Sequence, residues 1–523
     1  MSLASPFSTY ERRFIAFTII LGVFAMFFQL GLYPMFMEEP RRALIALEMD
    51  LRGNFWVPTQ MGDLYFKKPP LFNWVYIIFA KLFGEYSEIV LRSISVISHI
   101  LFSWVVFYFF KKRTQVEVAI LTALSFFASV DILYYYSTLG EIDLFYALLT
   151  TSSFFLIFIF DERKRYWELF LSVYALTALC FLTKGLSALP YTALTLLVYF
   201  LISKRFKLLF SIQHFASIGL FLFLLSMYFY GYSQYADVTG WFDTLLSEST
   251  EKASGSGFSK WFMHFLTFPV DTIKDVIPAA LLLPAVFLNR KESKVDKIWI
   301  WIIIANFAVY WLSAEGRSRY IYPLFPLICY YLIEKSASFD KEWFQKCLII
   351  FGHVILGIMV LAIPILPFVE SLRFLTHQWL FVIISELLLG LIWMSYIKYK
   401  IRPYLIIIAV MFVARFGMSY IVPQTRVNRS DAMADKKSGL KIAEITRNKP
   451  VYRWGDLRLS TTVVFYLTRE KEQILYQKNE IIDDAYYLVS EDDLNELPES
   501  EVLHEILYQE MNIYLVKPNG SIN

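Results

Sequence analysis

Apolar runs of the length that crosses a bilayer, about twenty residues, recur along this chain from Phe14 to Val422, separated by short clusters of charge. They predict spans near 14–34, 87–110, 116–136, 142–160, 167–183, 185–202, 208–231, 276–289, 298–314, 319–333, 344–368, 377–396 and 403–421, about thirteen transmembrane helices. Two longer stretches, 35–87 and 233–275, interrupt the alternation. From Pro423 onward the pattern changes. Pro450 to Trp454, Gln473 to Tyr476, Ala485 to Val489 and Asn512 to Val516 read as strands, and Leu459 to Thr468 and Glu491 to Leu497 as short helices. The chain is therefore expected to be a polytopic α-helical membrane protein over 1–422, with a small soluble α/β domain over 423–523.

Inside the first long stretch, Leu71 to Phe83 is apolar but too short to span, and Pro69-Pro70 precede it where proline suits a helix start. It is expected to lie in the interface or to re-enter. Arg41 to Leu51 places Ala43, Leu44, Leu47 and Leu51 on one face and Arg42, Glu48 and Asp50 elsewhere. That amphipathic pattern predicts a second helix lying on the membrane surface.

Composition agrees with the pattern. Hydrophobic residues make up 57% and charged residues 18%, mean hydropathy is +0.49, and soluble domains have about 45–50% apolar and about 25% charged residues. A string of soluble domains is excluded. The formal net charge of +3 is carried by basic clusters between spans, so no nucleic-acid partner is expected. Cys180, Cys329 and Cys347 all fall in predicted spans, and no disulfide framework can be read. Arg12-Arg13 precede a long apolar run with no small-residue cleavage site, which predicts a retained first span.

The loops sort by charge. Arg12-Arg13, Lys111-Lys112-Arg113, Arg163-Lys164-Arg165, Lys204-Arg205, Arg290-Lys291, Lys335 and Lys398 to Arg402 all fall on one side, the cytoplasmic side by the positive-inside rule. The N-terminus is then expected inside, and 35–87, 233–275 and the C-terminal domain outside an inner (plasma) membrane.

That outer face gathers charge at the ends of spans. The first long loop opens on Glu38-Glu39-Pro40-Arg41-Arg42 and later carries Tyr65-Phe66-Lys67-Lys68-Pro69-Pro70-Leu71. Gly140-Glu141-Ile142-Asp143, Leu182-Thr183-Lys184-Gly185 and Arg317-Ser318-Arg319-Tyr320, the last before Pro323 and Pro326, follow at later boundaries. Any one such residue marks a water interface as readily as a site, as Arg373 does. Charge inside hydrocarbon, however, costs about 2.5–3.5 kcal/mol on insertion scales, so an acid slightly inside a helix end, such as Asp143, calls for a partner or a role. Carboxylates and cations on one face suit transfer of a group carried on a phosphate, with acids as base and cations holding the anion.

Glu38-Glu39 with Arg41, Ala43 and Glu48-Met49, then Lys68-Pro69-Pro70-Leu71, Asp143, Leu182-Thr183-Lys184-Gly185, and Arg319-Tyr320 with Pro323 and Pro326 appear in that order. In this the sequence resembles the GT-C membrane glycosyltransferases, particularly the lipid A 4-amino-4-deoxy-L-arabinose transferases and the protein O-mannosyltransferases. The resemblance implies a GT-C fold and transfer of a sugar, with inversion, from a polyprenyl-phosphate donor to a lipid, glycan or protein acceptor on the extracytoplasmic face, among membrane lipids.

It also implies roles. A polyprenyl phosphate is already a good leaving group, so cations matter more than a general acid. Lys68 and Arg319, supported by Arg317 or Lys184, are the candidates for the donor phosphate. Glu38 and Glu39 correspond to the family's acidic pair and Asp143 to its second acid; Glu38 is the favoured base, Asp143 the alternative. Arg41, Tyr65, Glu141 and Tyr320 are candidate pocket residues. Two departures bear on this. Glu38 stands where the family usually has Asp, which moves the carboxylate by over an ångström, a scale that matters in catalysis. Lys67 stands where some relatives have an acid that shares a metal with a histidine of the second long loop; His264 remains as the candidate ligand for a divalent metal, but without that acid's support. His264 also reads as an interfacial residue beside Trp261 and Phe262, and His99, His214, His353 and His377 as structural.

The rival reading is a transporter or flippase of a lipid-linked sugar. Transporters often show paired repeats and helices broken at the midplane. This sequence shows irregular spans and charges gathered at one face.

Overall fold

The computed structural model describes residues 3, 5–244, 247, 257–289, 297–339, 341–508 and 511–519. The predicted basic cluster Arg290-Lys291 and part of the second long loop lie outside the described residues. Among those described, seven helices are long and apolar enough to cross a membrane: Glu88–Phe110, Ile142–Glu162, Tyr166–Ile202, Ile212–Ser233, Glu342–Phe368, Gln378–Tyr399 and Pro403–Arg429. An eighth crossing is formed if Val116–Phe127 and Val130–Thr138, bent by 45° at their junction, are one span. The remaining predicted spans coincide with Thr9–Phe27, with the short helix Leu283–Leu288, with Lys297–Trp311 and with Phe325–Ala337. Tyr166–Ile202 is interrupted at Gly185, whose φ of +71° only glycine adopts without strain, so that two predicted spans are helices joined by a short 3-10 turn.

The chain divides into two compact units. The first comprises Met1–Leu30, Arg92–Phe229 and Phe242–Gln424. Its first helix begins with a capping box. Ser8 Oγ accepts from the Glu11 amide at 3.1 Å, and Glu11 Oε2 accepts from the Ser8 amide at 2.9 Å. That helix ends at Phe27, short of the predicted residue 34, because Gln29 turns into the left-handed region and Gly31 and Pro34 follow. Polar groups tie the bundle internally: Asn306 Nδ2 donates to Thr195 Oγ1 at 3.1 Å, Ser125 Oγ and Tyr404 Oη meet at 2.7 Å, and Tyr199 Oη donates to Asp161 at 2.6 Å. Each of these polar groups thus has a partner inside, which offsets the cost of burying it. The last helix continues past the predicted 421 to Arg429, through Pro423. Gln424 prolongs it by accepting from the Thr376 amide at 2.8 Å and from Thr376 Oγ1 at 3.0 Å.

The second unit comprises Gly31–Leu91, Tyr230–Trp241 and Thr425–Asn523. Leu71–Phe83 is helical over the span the sequence predicts. It buries Phe72, Tyr76 and Ile77 and exposes Ile78, Leu82 and Phe83, so apolar surface remains open on one side. The other predicted surface helix is corrected. Glu39–Leu51 buries Arg42 and Glu48 as well as Ala43 to Leu47, while Leu51 is exposed, so it is an interior helix with polar side chains satisfied inside.

The C-terminal segment forms a four-stranded sheet in the order Val451–Arg453, Tyr486–Ser490, Met511–Pro518, Ser500–Tyr508, the first pair parallel and the others antiparallel. One expectation is corrected here, and two elements are ones the sequence pattern did not predict. Residues 473–476 form no strand; only Gln477 bridges Arg453. Ser500–Tyr508 is an edge strand whose glutamates hide its alternation, and Asp431–Thr446 is a helix without an apolar stripe. The last packs because Gly439 lacks a side chain: a Cβ there would sit 2.5 Å from the Val463 carbonyl oxygen.

Candidate functional site

The sequence-flagged residues of the first unit gather around Asp143. The helix Ile142–Glu162 begins where the Glu141 amide donates to Ser95 Oγ at 3.2 Å. That contact places Asp143 in the first turn, where the helix dipole favours an acid. Lys184 ends the helix Tyr166–Lys184, where the dipole favours a cation. Its Nζ donates to Asp143 Oδ1 at 2.5 Å. Arg319 Nη1 lies 3.9 Å from Asp143 Oδ2. The carboxylate is 3% exposed, so two cations share one buried acid.

Tyrosines wall this cluster. Lys184 Nζ lies 4.9 Å from the Tyr146 ring centre and 4.8 Å from that of Tyr320. The Arg319 guanidinium lies 5.8 Å from Tyr136 and 5.5 Å from Tyr320. Tyr191 Oη donates to the Tyr320 carbonyl at 2.5 Å, and Thr151 Oγ1 donates to the Pro323 carbonyl at 2.8 Å. The 3-10 segment Ser318–Leu324 is thereby pinned to helices on either side, with Arg319 fixed in register. Arg317, at its head, is exposed. The arrangement concentrates positive charge beside aromatic surface, which suits a phosphate carrying a sugar.

The other flagged residues belong to the second unit. Glu38 is the residue before the helix Glu39–Leu51, half-exposed and ion-paired to Arg41. Glu39 turns inward, fully buried, and accepts from the Phe36 amide at 2.8 Å. The two adjacent acids therefore have different environments. Tyr65 is buried, its amide donating to the Pro58 carbonyl at 3.0 Å, and Lys68 is half-buried beside buried Pro69 and Pro70.

Comparison with known proteins fits this geometry. The family described as dolichyl-phosphate-mannose-protein mannosyltransferase matches residues 67–230. An undecaprenyl phosphate-alpha-4-amino-4-deoxy-L-arabinose arabinosyl transferase of Proteus mirabilis is 30% identical over 173 residues, 32% of this chain and 31% of that protein. A second Proteus mirabilis transferase of the same description is 23% identical over 371 residues, 68% of this chain and 66% of that protein. The chain thus spans about a third of the first relative's length. The crystal structure of ArnT from Cupriavidus metallidurans bound to undecaprenyl phosphate superposes with a TM-score of 0.72 over 96% of this chain and 97% of that one, at 16% identity. The chain shares the fold of that ArnT structure. It is a multi-pass membrane protein.

Within this chain, the second long loop supplies the helix Phe258–Asp275, which is tied to the end of Lys297–Trp311 and the residue after it. Trp261 Nε1 donates to the Leu312 carbonyl at 3.0 Å, and Trp311 Nε1 donates to the Phe265 carbonyl at 2.7 Å. His264 Nε2 lies 3.1 Å from the Tyr310 carbonyl, a geometry in which that nitrogen donates and is not free to ligate a metal. Gly316 fits beneath it, where a Cβ would stand 2.9 Å from His264 Nε2. Among the described residues no group of three or more His, Cys, Asp or Glu side chains is arranged to hold a metal.

One polar group that the sequence left as part of a motif is Glu48. It is buried and its carboxyl accepts from Thr59 Oγ1 at 2.8 Å, the Met61 amide at 2.7 Å and the Gly62 amide at 3.2 Å. Burial raises its pKa despite those hydrogen bonds and the attraction of Arg52. A carboxyl raised in the folded state contributes stability that is fully present below its ordinary value of 4.5 and is lost as pH rises through the raised value. Thermal melts of wild type and Glu48→Gln are therefore expected to show the wild-type advantage shrinking from acidic to neutral pH. An advantage that grows with pH would contradict the assignment.

Proposed function

We propose that this chain is an inverting glycosyltransferase that moves a sugar from a polyprenyl-phosphate donor to a lipid, glycan or protein acceptor on the outer face of an inner membrane. The observation that carries this reading is the pair of cations, Lys184 and Arg319, held by one buried acid and walled by tyrosines. The likeness in fold to a protein crystallised with undecaprenyl phosphate supports it.

In the proposed step the acceptor hydroxyl oxygen attacks the anomeric carbon, opposite the bond to the phosphate oxygen. That bond breaks and polyprenyl phosphate leaves with the electron pair. The resemblance makes Glu38 the acceptor of the hydroxyl proton and Lys68 a ligand of the donor phosphate. Within the first unit, Arg319 and Lys184 are the cations suited to offset charge growing on a phosphate. Asp143 orients the two cations it binds. The basic loop clusters support a cytoplasmic N-terminus, with 35–87, 233–275 and 423–523 outside.

Mass spectrometry of envelope lipids, glycans and proteins from cells with and without the chain tests the proposal. One acceptor is expected to lose a single pentose- or hexose-sized unit. An unchanged envelope, together with movement of labelled lipid-linked sugar across vesicles without turnover, would replace the enzyme with a flippase.

A further inference from the structure

The first long loop and the C-terminal segment fold together in one compact unit, and the contacts fall on particular points of the loop. Thr59–Gln60 and Asp63–Leu64 form a two-residue hairpin whose turn is Met61-Gly62. Both turn residues have positive φ, +55° and +81°. Such a turn matches strand twist, but it is costly at a non-glycine residue like Met61 and persists only where its surroundings hold it.

Glu48 holds it from one side, accepting both turn amides. From the C-terminal segment, the Tyr476 ring covers Gly62 so closely that a Cβ there would lie 2.4 Å from it. The next residue, Asp63, is ion-paired to Arg453 of the strand Val451–Arg453, whose side chain is 5% exposed while that of Asp63 is 67% exposed. A buried guanidinium needs a fixed anion, so this pair locates Asp63 and not only solvates it. A few residues on, the chain reaches Lys67-Lys68-Pro69-Pro70.

The same segment fixes the loop's beginning and end. Tyr466 Oη accepts from the Met35 amide at 3.0 Å, just before Glu38, and donates to Glu88 Oε1 at 2.7 Å, where Lys436 also binds at 2.6 Å. The Arg426 guanidinium lies 4.8 Å from the Tyr33 ring centre and 4.2 Å from that of Phe36.

We infer that the C-terminal segment is a positioning element for the first loop, and that Arg453, through Asp63, is a positioning residue that sets the Lys67-Lys68 arm for a lipid-linked phosphate. The role of that arm rests on the glycosyltransferase reading. The positioning itself does not.

Hydrogen exchange and donor kinetics on the full-length protein in lipid nanodiscs separate the two. Arg453→Ala and Asp63→Ala are each expected to speed exchange of the Met61 and Gly62 amides and to raise the KM for a polyprenyl-phosphate sugar about ten-fold, with kcat changed less. Asp63 is exposed, so its variant keeps the test informative if Arg453→Ala fails to fold. The charge-swapped pair Asp63→Arg with Arg453→Asp is expected to restore both readouts. Unchanged exchange and KM in the folded single variants, or no recovery in the swap, would overturn the inference. If wild type transfers no sugar, the enzyme reading falls, and the exchange data still decide whether the hairpin is held from the C-terminal segment.

Discussion

Asp143→Ala is expected to lower sugar transfer by about a thousand-fold, the scale on which removal of preorganised charge stabilisation acts. The same change removes the acid that two cations share at 3% exposure, and breaking a buried pair from one side costs about 3–5 kcal/mol. Lost stability and lost chemistry are thus confounded in that variant, and a second one separates them. Replacing a buried ion pair by apolar groups of similar size is often neutral for stability. The double change Asp143→Leu with Lys184→Met removes the acid and its nearer cation together and is therefore expected to recover part of the melting temperature, Arg319 keeping its charge, while transfer stays low. Transfer from a polyprenyl-phosphate sugar, assayed beside thermal melts in detergent, reads both quantities. Wild-type transfer by folded Asp143→Ala would remove Asp143 and its cations from the reaction.

Glu38→Gln is expected to reduce kcat by about 10²–10⁴-fold, the usual contribution of a general base. The neighbouring acid is the control. Glu38 is half-exposed against Arg41, open to an acceptor hydroxyl, whereas Glu39 is fully buried with its Oε2 on the Phe36 amide. Glu39→Gln should then lower the melting temperature more than the rate. Glu38→Asp restores the residue usual in the resembling family and is expected to keep measurable transfer, at a rate set by how far the carboxylate withdraws. A Glu38→Gln protein that turns over at the wild-type rate would shift the base role to Asp143.

Much of the helical architecture was legible because apolar length is a local property. Leu71–Phe83 was legible from its apolar run and the proline pair before it, and the structure ends it at Gly84 in the left-handed conformation. The C-terminal segment was read less well. The helix Asp431–Thr446 buries only Gly439, Ile442 and Thr446, too few for an apolar stripe, and the edge strand Ser500–Tyr508 leaves Glu501, Val502 and Leu507 alike exposed. The site was legible as chemistry and not as pairing. Asp143 and Lys184 stood out singly, but they meet because two antiparallel helices bring opposite dipole ends together across 41 residues. Glu48 was assigned to the polar side of a surface helix. Its true place is inside, because three donors of a hairpin more than ten residues away converge on it, which no window along the chain reveals.

The capping residue Glu11 has a second partner. Arg402 Nε lies 3.0 Å from Glu11 Oε1, both side chains are at most 3% exposed, and Arg402 also donates to the Leu3 carbonyl at 2.9 Å. Ser419 Oγ likewise donates to the Ala25 carbonyl at 2.7 Å. The first helix therefore meets its buried counter-charge only after 391 further residues have been made. At about 5–20 residues per second that delay is roughly 20–80 s. Throughout it the nascent first helix carries an acid awaiting its base, and a ribosome that stalls before Arg402 leaves the first helix without its contacts to the last.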